Sequence, residues 1–187
     1  MNERGQKAAP GPAEAMPEWG GAMSVMSQDE IERLIHCPKV VTEPPRREPA
    51  TERGNSRNGA RLKAKDGDEE FSMFVRINDS FNENFSIGLV FHPRDGRPDI
   101  QLLRCNGPHG PHVESYDDPI THNEYHVHLA TAQAMEAGEA PERHAEVNRQ
   151  YASYEEALRY FLFEIKLVDP DRYFPGASQL LLIAGDR

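Results

Sequence analysis

The feature that most constrains the fold of this chain is a run of apolar residues with a period of two through its middle. A-R-L-K-A-K (60–65) alternates, D-G-D (66–68) can turn, and F-S-M-F-V-R-I (71–77) returns, which predicts a β-hairpin. The same criterion predicts three further strands, over residues 85–91, 100–105 and 125–129. Short turns between consecutive strands favour antiparallel pairing. The pattern therefore predicts about five antiparallel strands in one sheet.

Two helices are predicted to flank these strands. Ser27 is followed by a glutamate three residues later and then by an apolar stripe, so a capping box should start a short helix over about 28–36. Ser153 and Glu156 form a second capping box, followed by A-L-R-Y-F-L-F-E-I-K-L to about residue 168. The predicted fold is α+β, with the short N-terminal helix and the long C-terminal helix packed on one face of the sheet.

The length of 187 residues suits one domain. We expect a disordered leader at 1–26, because this stretch is rich in Gly, Ala, Pro and Glu without a hydrophobic period. A single α+β domain is expected over 27–168, with a flexible basic loop at 44–59 marked by three prolines. Residues 169–187 are interpreted as a C-terminal tail or an edge strand.

Composition indicates the cellular compartment of the chain. There is no apolar run of the length that crosses a bilayer, so no membrane association is expected. Cys37 and Cys105 lie far apart without C-x-x-C spacing, which favours free thiols and a reducing, cytoplasmic location.

The charge of the chain is unevenly distributed. A net charge of −10 argues against simple electrostatic binding of nucleic acid, yet residues 46–65 contain seven basic and two acidic side chains. This stretch is either a solvated basic loop or an arm that contacts phosphates. The candidate nucleic-acid-binding residues are Arg46, Arg47, Arg57, Arg61, Lys63 and Arg76.

Histidines are concentrated in one short window. Five of the eight histidines of the chain fall between His109 and His128. Residues two apart in a strand share a face, so His126 and His128 should point away from the core, where water or a ligand can reach them. If the fourth and fifth strands are neighbours, His109 can approach this pair from the connecting loop.

Three interpretations of the window remain open. The histidines can be a solvated strand face without a function. His109, His126 and His128 can be the ligands of an open zinc or iron site, although no carboxylate stands at a clearly matched position. Alternatively, these histidines can be the acid and base of a metal-free phosphodiester cleavage.

The metal-free interpretation assigns roles to two further residues. Arg104 ends the fourth strand, and its guanidinium fork is suited to a phosphate that gains negative charge. Asn106 begins a tight turn that presents His109. The candidate catalytic residues are His109, His126, His128, Arg104 and Asn106.

The motifs in this window resemble those of a known family. R-x-N-x-P-H (104–109), H-x-H (126–128) and a helix of the S-x-E-E-A-L-x-x-F type (153–161) resemble the small prokaryotic toxin proteins of the TumE type. They also resemble a related uncharacterised family with an N-G-x-H…H-x-H pattern. The chain differs from the TumE pattern at Cys105, where aspartate is usual, and at Gly110, where a second histidine is usual.

The resemblance implies a toxin of a toxin–antitoxin pair that acts on RNA and has a cognate antitoxin protein as partner. The alternatives are a non-catalytic protein-binding module and a metal-dependent enzyme that uses the His-x-His pair.

Overall fold

A computed structural model describes residues 26–109 and 123–177. Most of the expected leader and half of the expected tail lie outside these residues. Met26, placed in the leader by the sequence, is buried in the core, and a 3₁₀ turn occupies Pro170–Arg172. The elements run in the order α1 (Gln28–His36), β1 (Lys39–Glu43), β2 (Ala50–Glu52), β3 (Asn55–Ala64), β4 (Glu70–Asn78), β5 (Phe85–His92), β6 (Ile100–Asn106), β7 (His126–Leu129), α2 (Ala132–Glu136), β8 (Ala145–Val147) and α3 (Tyr154–Glu164).

The described strands form one antiparallel sheet, as the sequence predicts. Its order is β1-β3-β4-β5-β6-β7-β8, and β2 pairs with β3 beyond the end of β1. The sheet has eight strands within the described residues, so the expectation of about five was wrong. A third helix, α2, was also not expected.

The additional strands are β1, β2 and β8. β2 and β8 have three residues each and are mostly exposed, so they carry no apolar alternation that a sequence pattern could detect. The prediction of a flexible loop over 44–59 is largely wrong, because strand residues in this segment also lack apolar alternation. β2 occupies Ala50–Glu52, and β3 begins at Asn55 in the polar segment N-S-R-N-G rather than at Ala60.

The hydrophobic core is one buried cluster that contains apolar side chains of the strands and of helices α1 and α3. Phe71 and Met73 on β4 and Ile87 on β5 belong to the same buried cluster as Leu34 of α1 and Phe161 of α3. The alternation in β4 and β5 places every second side chain in this cluster, which is why the period-two pattern was readable.

Helix α3 ends at Glu164, four residues before the predicted end. Lys166 has φ of 49°, the amide of Leu167 donates to the carbonyl of Leu162, and the amide of Lys166 donates to that of Phe163. These bonds form a Schellman motif, in which glycine is the usual left-handed residue. Because lysine takes this position here, the sequence gives no stop signal.

The other face of the sheet, which we call the open face, carries most of the polar strand residues. Its members stand in transverse rows fixed by the register. One row contains Arg57, Arg76, Ser86, Asn106 and His126, and the next contains Gly59, Phe74, Gly88, Arg104 and His128. Within the described ranges, no helix has the length and apolar character needed to cross a membrane.

Candidate functional site

The register brings the candidate catalytic residues together at one corner of the open face. His126 and His128 of β7 pair directly with Asn106 and Arg104 of β6. The ring of His109 lies 5.1 Å from the ring of His126, which in turn lies 5.2 Å from that of His128. All five predicted catalytic residues therefore belong to one cluster, which we call the histidine corner.

The two strand histidines of the corner are buried, contrary to the expectation of an accessible pair. His126 is 0% exposed and His128 is 4% exposed, although both lie on the face opposite Val127 as predicted. Part of the cover is the connection between α2 and β8, whose Glu142 carbonyl contacts His128. Alternation along a strand predicts the face of the sheet on which a side chain lies, but it does not predict what packs over that side chain.

His126 has a defined tautomer. Its Nδ1 donates to the carbonyl of Glu124 at 2.8 Å, and its Nε2 accepts from Asn106 Nδ2 at 3.1 Å. A carbonyl only accepts, so the ring proton lies on Nδ1 and the amide must donate to Nε2. Asn106 is held in turn by Ser86, whose hydroxyl donates to Oδ1 at 2.7 Å. These bonds suit a neutral histidine that positions its neighbours.

His128 has the same tautomer as His126, with the proton on Nδ1. Its Nδ1 donates to the carbonyl of Glu142 at 2.8 Å, which places the lone pair on Nε2. A backbone carbonyl that fixes Nδ1–H is the arrangement that orients an imidazole for proton transfer. Of the two strand histidines, His128 is therefore better suited to act as a general base.

Arg104 supplies a cation beside this base. Burial lowers the pKa of its guanidinium below the usual range, and the nearby Glu142 carboxylate opposes this effect. An arginine stays protonated even after such a shift. Its Nε is buried and has no hydrogen-bond partner in the described part of the chain. An anion at the corner would therefore meet a donor that is already desolvated.

The basic candidates lie on β3 and β4 of the open face and in the connection between β1 and β2. Arg57, Arg61 and Arg76 are exposed, and a groove of about 450 Å³ beside them is lined by Arg46, Arg57 and Arg61. Two of the cations are already paired, since Arg57 contacts Glu52 at 3.0 Å and Lys63 contacts Asp68 at 3.0 Å. Arg47 is exposed but does not line this groove.

Phe74 lies in the middle of this basic surface. It stands between Gly59 and Gly88 in the register, and a Cβ at Gly88 would collide with the Phe74 ring. Phe74 is only half-buried and does not belong to the core cluster. The open face thus combines arginines with an aromatic ring that rests on a glycine.

The alternative of a zinc or iron site on His109, His126 and His128 requires a free ring nitrogen on each histidine. Both ring nitrogens of His126 are engaged, one by a carbonyl and one by an amide. Among the described residues, no three His, Cys, Asp or Glu side chains form a group suited to a metal ion. His112 and His122 lie outside the described residues.

Several residues of the corner were missed by the sequence analysis. Ser86 holds Asn106, and the buried hydroxyl of Tyr151 donates to the carbonyl of His126 at 2.6 Å. Their sequence separations from these partners are 20 and 25 residues, so no local motif could reveal them.

Comparison with protein-family models, curated proteins and solved structures finds no match to this chain.

Proposed function

We propose that the protein is the toxin-like component of a prokaryotic toxin–antitoxin system and that it cleaves RNA without a metal ion at the histidine corner. The observation that carries the chemistry is the position of His128 beside Arg104, with the tautomer of His128 fixed by the Glu142 carbonyl. The assignment to toxins rests on the motif resemblance, and the proposed cytoplasmic location rests on the two free thiols.

Each chemical role falls to one residue. His128 Nε2 takes the proton of the ribose 2′-hydroxyl, whose oxygen attacks the adjacent phosphorus. Arg104 stabilises the negative charge that develops on the phosphorane oxygens. His109, in its protonated form, gives a proton to the departing 5′-oxygen. His126 and Asn106 position this set.

The open face supports RNA as the substrate. Arg57, Arg61 and Arg76 can contact phosphates, and Phe74 offers a ring on which a base can stack. The groove lined by Arg46, Arg57 and Arg61 would also suit an acidic segment of a cognate antitoxin, which would compete with RNA for the same cations.

The test is incubation of purified protein with total cellular RNA in excess EDTA. We expect wild type to cleave and to leave 2′,3′-cyclic phosphate ends. His128→Ala should reduce the rate by about 100-fold or more, the usual contribution of a general base. His126→Ala should also lose activity and should relieve growth inhibition on expression. His36→Gln, on the helix side of the sheet, is the matched control and should cleave like wild type.

A second candidate function is a non-catalytic protein-binding module. It is favoured by the burial of both strand histidines and by the complete bonding of the His126 ring. Intact RNA with wild-type protein would support this role. Undiminished cleavage by His128→Ala would instead move the active site away from the histidine corner.

A further inference from the structure

A second cluster of reactive side chains lies on the open face, apart from the histidine corner. His92 ends β5, and its Nδ1 donates to Asp99 Oδ1 at 2.8 Å. Its Nε2 accepts from the hydroxyl of Ser72, in the middle of β4, also at 2.8 Å. We call Ser72, His92 and Asp99 the serine cluster.

The neighbours of His92 fix its protonation pattern. Asp99 can only accept, so Nδ1 carries the proton. Arg61 Nη1 donates to Nε2 at 3.1 Å and can only donate, so Nε2 carries the lone pair. Nε2 has one lone pair, so the Ser72 hydroxyl, 2.8 Å away, donates to a lone pair that it shares with Arg61. This is the proton arrangement of a serine nucleophile with its general base and an orienting carboxylate.

The serine cluster borders a cavity that can hold a small molecule. The groove of about 450 Å³ is lined by Ser72 together with Arg46, Arg57 and Arg61. Glu43 is the acidic residue of its lining. The excess of guanidinium groups favours a ligand with a negative charge, and Arg61 is the β3 partner of Ser72 in the register.

We propose that Ser72, His92 and Asp99 form a second catalytic site, which hydrolyses an ester that carries a carboxylate or phosphate group. This activity goes beyond the proposed cleavage of RNA and uses none of the residues of the histidine corner. Ser72 and His92 are the catalytic residues, Asp99 is a positioning residue, and Arg46 and Arg57 bind the anionic group.

The reaction proceeds in two steps, acylation of Ser72 and hydrolysis of the acyl-serine. Ser72 Oγ attacks the ester carbonyl while its proton moves to His92 Nε2. The oxyanion forms a contact with Arg61, which loses its acceptor on His92 when Nε2 becomes protonated. The C–O bond then breaks, and the alcohol leaves with the proton from His92. Water repeats the sequence on the acyl-serine and releases the acid and free Ser72.

The test is covalent labelling of the purified full chain with a fluorophosphonate, which forms an Oγ–P bond and releases fluoride. We expect one adduct per chain, located by mass spectrometry on the peptide that contains Ser72. His92→Gln should slow labelling by about 100-fold or more, because it removes the base. Ser80→Ala, which changes an exposed serine in the β4–β5 connection, is the matched control and should label like wild type.

Hydrolysis of nitrophenyl esters tests the same site with turnover. An ester with a free carboxylate should have a kcat/KM at least about tenfold above that of the neutral acetate, since a charged contact contributes more than 1.4 kcal/mol. Asp99→Asn should lower kcat more than KM, as expected of a positioning residue. Its side chain is 65% exposed, so the loss should be smaller than that from a buried triad aspartate.

The alternative is that the serine cluster only ties β4 and β5 to the turn after β5. Under that alternative Ser72→Ala and His92→Gln lower thermal stability, while the wild type neither labels at Ser72 nor hydrolyses either ester. That result, or equal labelling of wild type and His92→Gln, would overturn the proposal. Because these readouts contain no RNA, they can fail or succeed independently of the ribonuclease test.

Discussion

Lys39 is a charged residue with no exposed surface. Its Nζ donates to the carbonyls of Ile35 at 2.7 Å, Cys37 at 2.8 Å and Ile165 at 3.4 Å, and it lies 4.7 Å from the centre of the Phe71 ring. The carbonyls at the C-terminal ends of α1 and α3 lack helical partners, so this one ammonium group satisfies both ends. Lys39 therefore links the two helices that cover the core.

The burial of Lys39 predicts a pH dependence of stability. Burial is the main cause that lowers its pKa from 10.5 to about 8. Between these pH values the unfolded chain keeps the proton and the folded chain releases it, so stability rises with pH. From pH 8 to 10.5, wild type should gain about 3 kcal/mol relative to Lys39→Met, measured by guanidinium unfolding. The exposed Lys65→Met is the control, and its difference from wild type should stay constant.

At the residue scale, sequence patterns predicted which face of the sheet a side chain lies on but not what packs against that side chain. The spacing of His126 and His128 correctly placed both on the face opposite Val127, because strand geometry has a period of two. Part of the cover over His128 is the α2–β8 connection, whose Glu142 carbonyl contacts its ring, and no pattern near position 128 encodes that contact. Cys105 is buried, and this burial raises the pKa of its thiol.

At the scale of elements, both predicted capping boxes start helices. Ser27 accepts from the amide of Glu30, and Ser153 accepts from the amide of Glu156, each at 3.2 Å. In the second box the Glu156 carboxylate accepts from the amide of Ala152 rather than that of Ser153. Helix starts were predictable because the capping bonds join residues three positions apart.

Removal of a cap should therefore have a defined cost. Ser153→Ala leaves the amide of Glu156 without its side-chain partner and should lower the free energy of unfolding by about 1 kcal/mol. Urea unfolding measures the difference. Ser153→Asp keeps an acceptor at the cap and should retain most of the stability. An alanine variant as stable as wild type would contradict the role of this bond.

At the scale of the whole molecule, the two faces of the sheet have opposite characters. One contributes apolar side chains to the core cluster, and the other carries Arg57, Arg61 and Arg76 in a chain whose net charge is −10. Strands occupy much of the segment predicted as a flexible loop, so Arg57 and Arg61 stand on β3, and Arg76 stands on β4 beside them. Pairing across strands determines where each arginine lies.

Salt dependence tests whether this surface contacts phosphates. Binding of a labelled single-stranded RNA should weaken with salt, and Arg76→Gln should reduce the slope of log K against log salt by about 0.7. Arg76→Lys should keep the slope, because it retains the charge. Arg33→Gln, which changes a cation on α1, should not alter it. An unchanged slope for Arg76→Gln would place the phosphates elsewhere.

The sequence by itself determined the class of the fold, the two capped helix starts and the side of β7 on which the histidines lie. These properties depend on residues two to four positions apart, whose relative placement the backbone fixes. Only the tertiary structure decided that His126 and His128 are buried, that polar three-residue strands extend the sheet, and that Ser72, His92 and Asp99 meet. Such contacts join residues that are distant in sequence, and they follow from strand pairing and packing across the whole sheet.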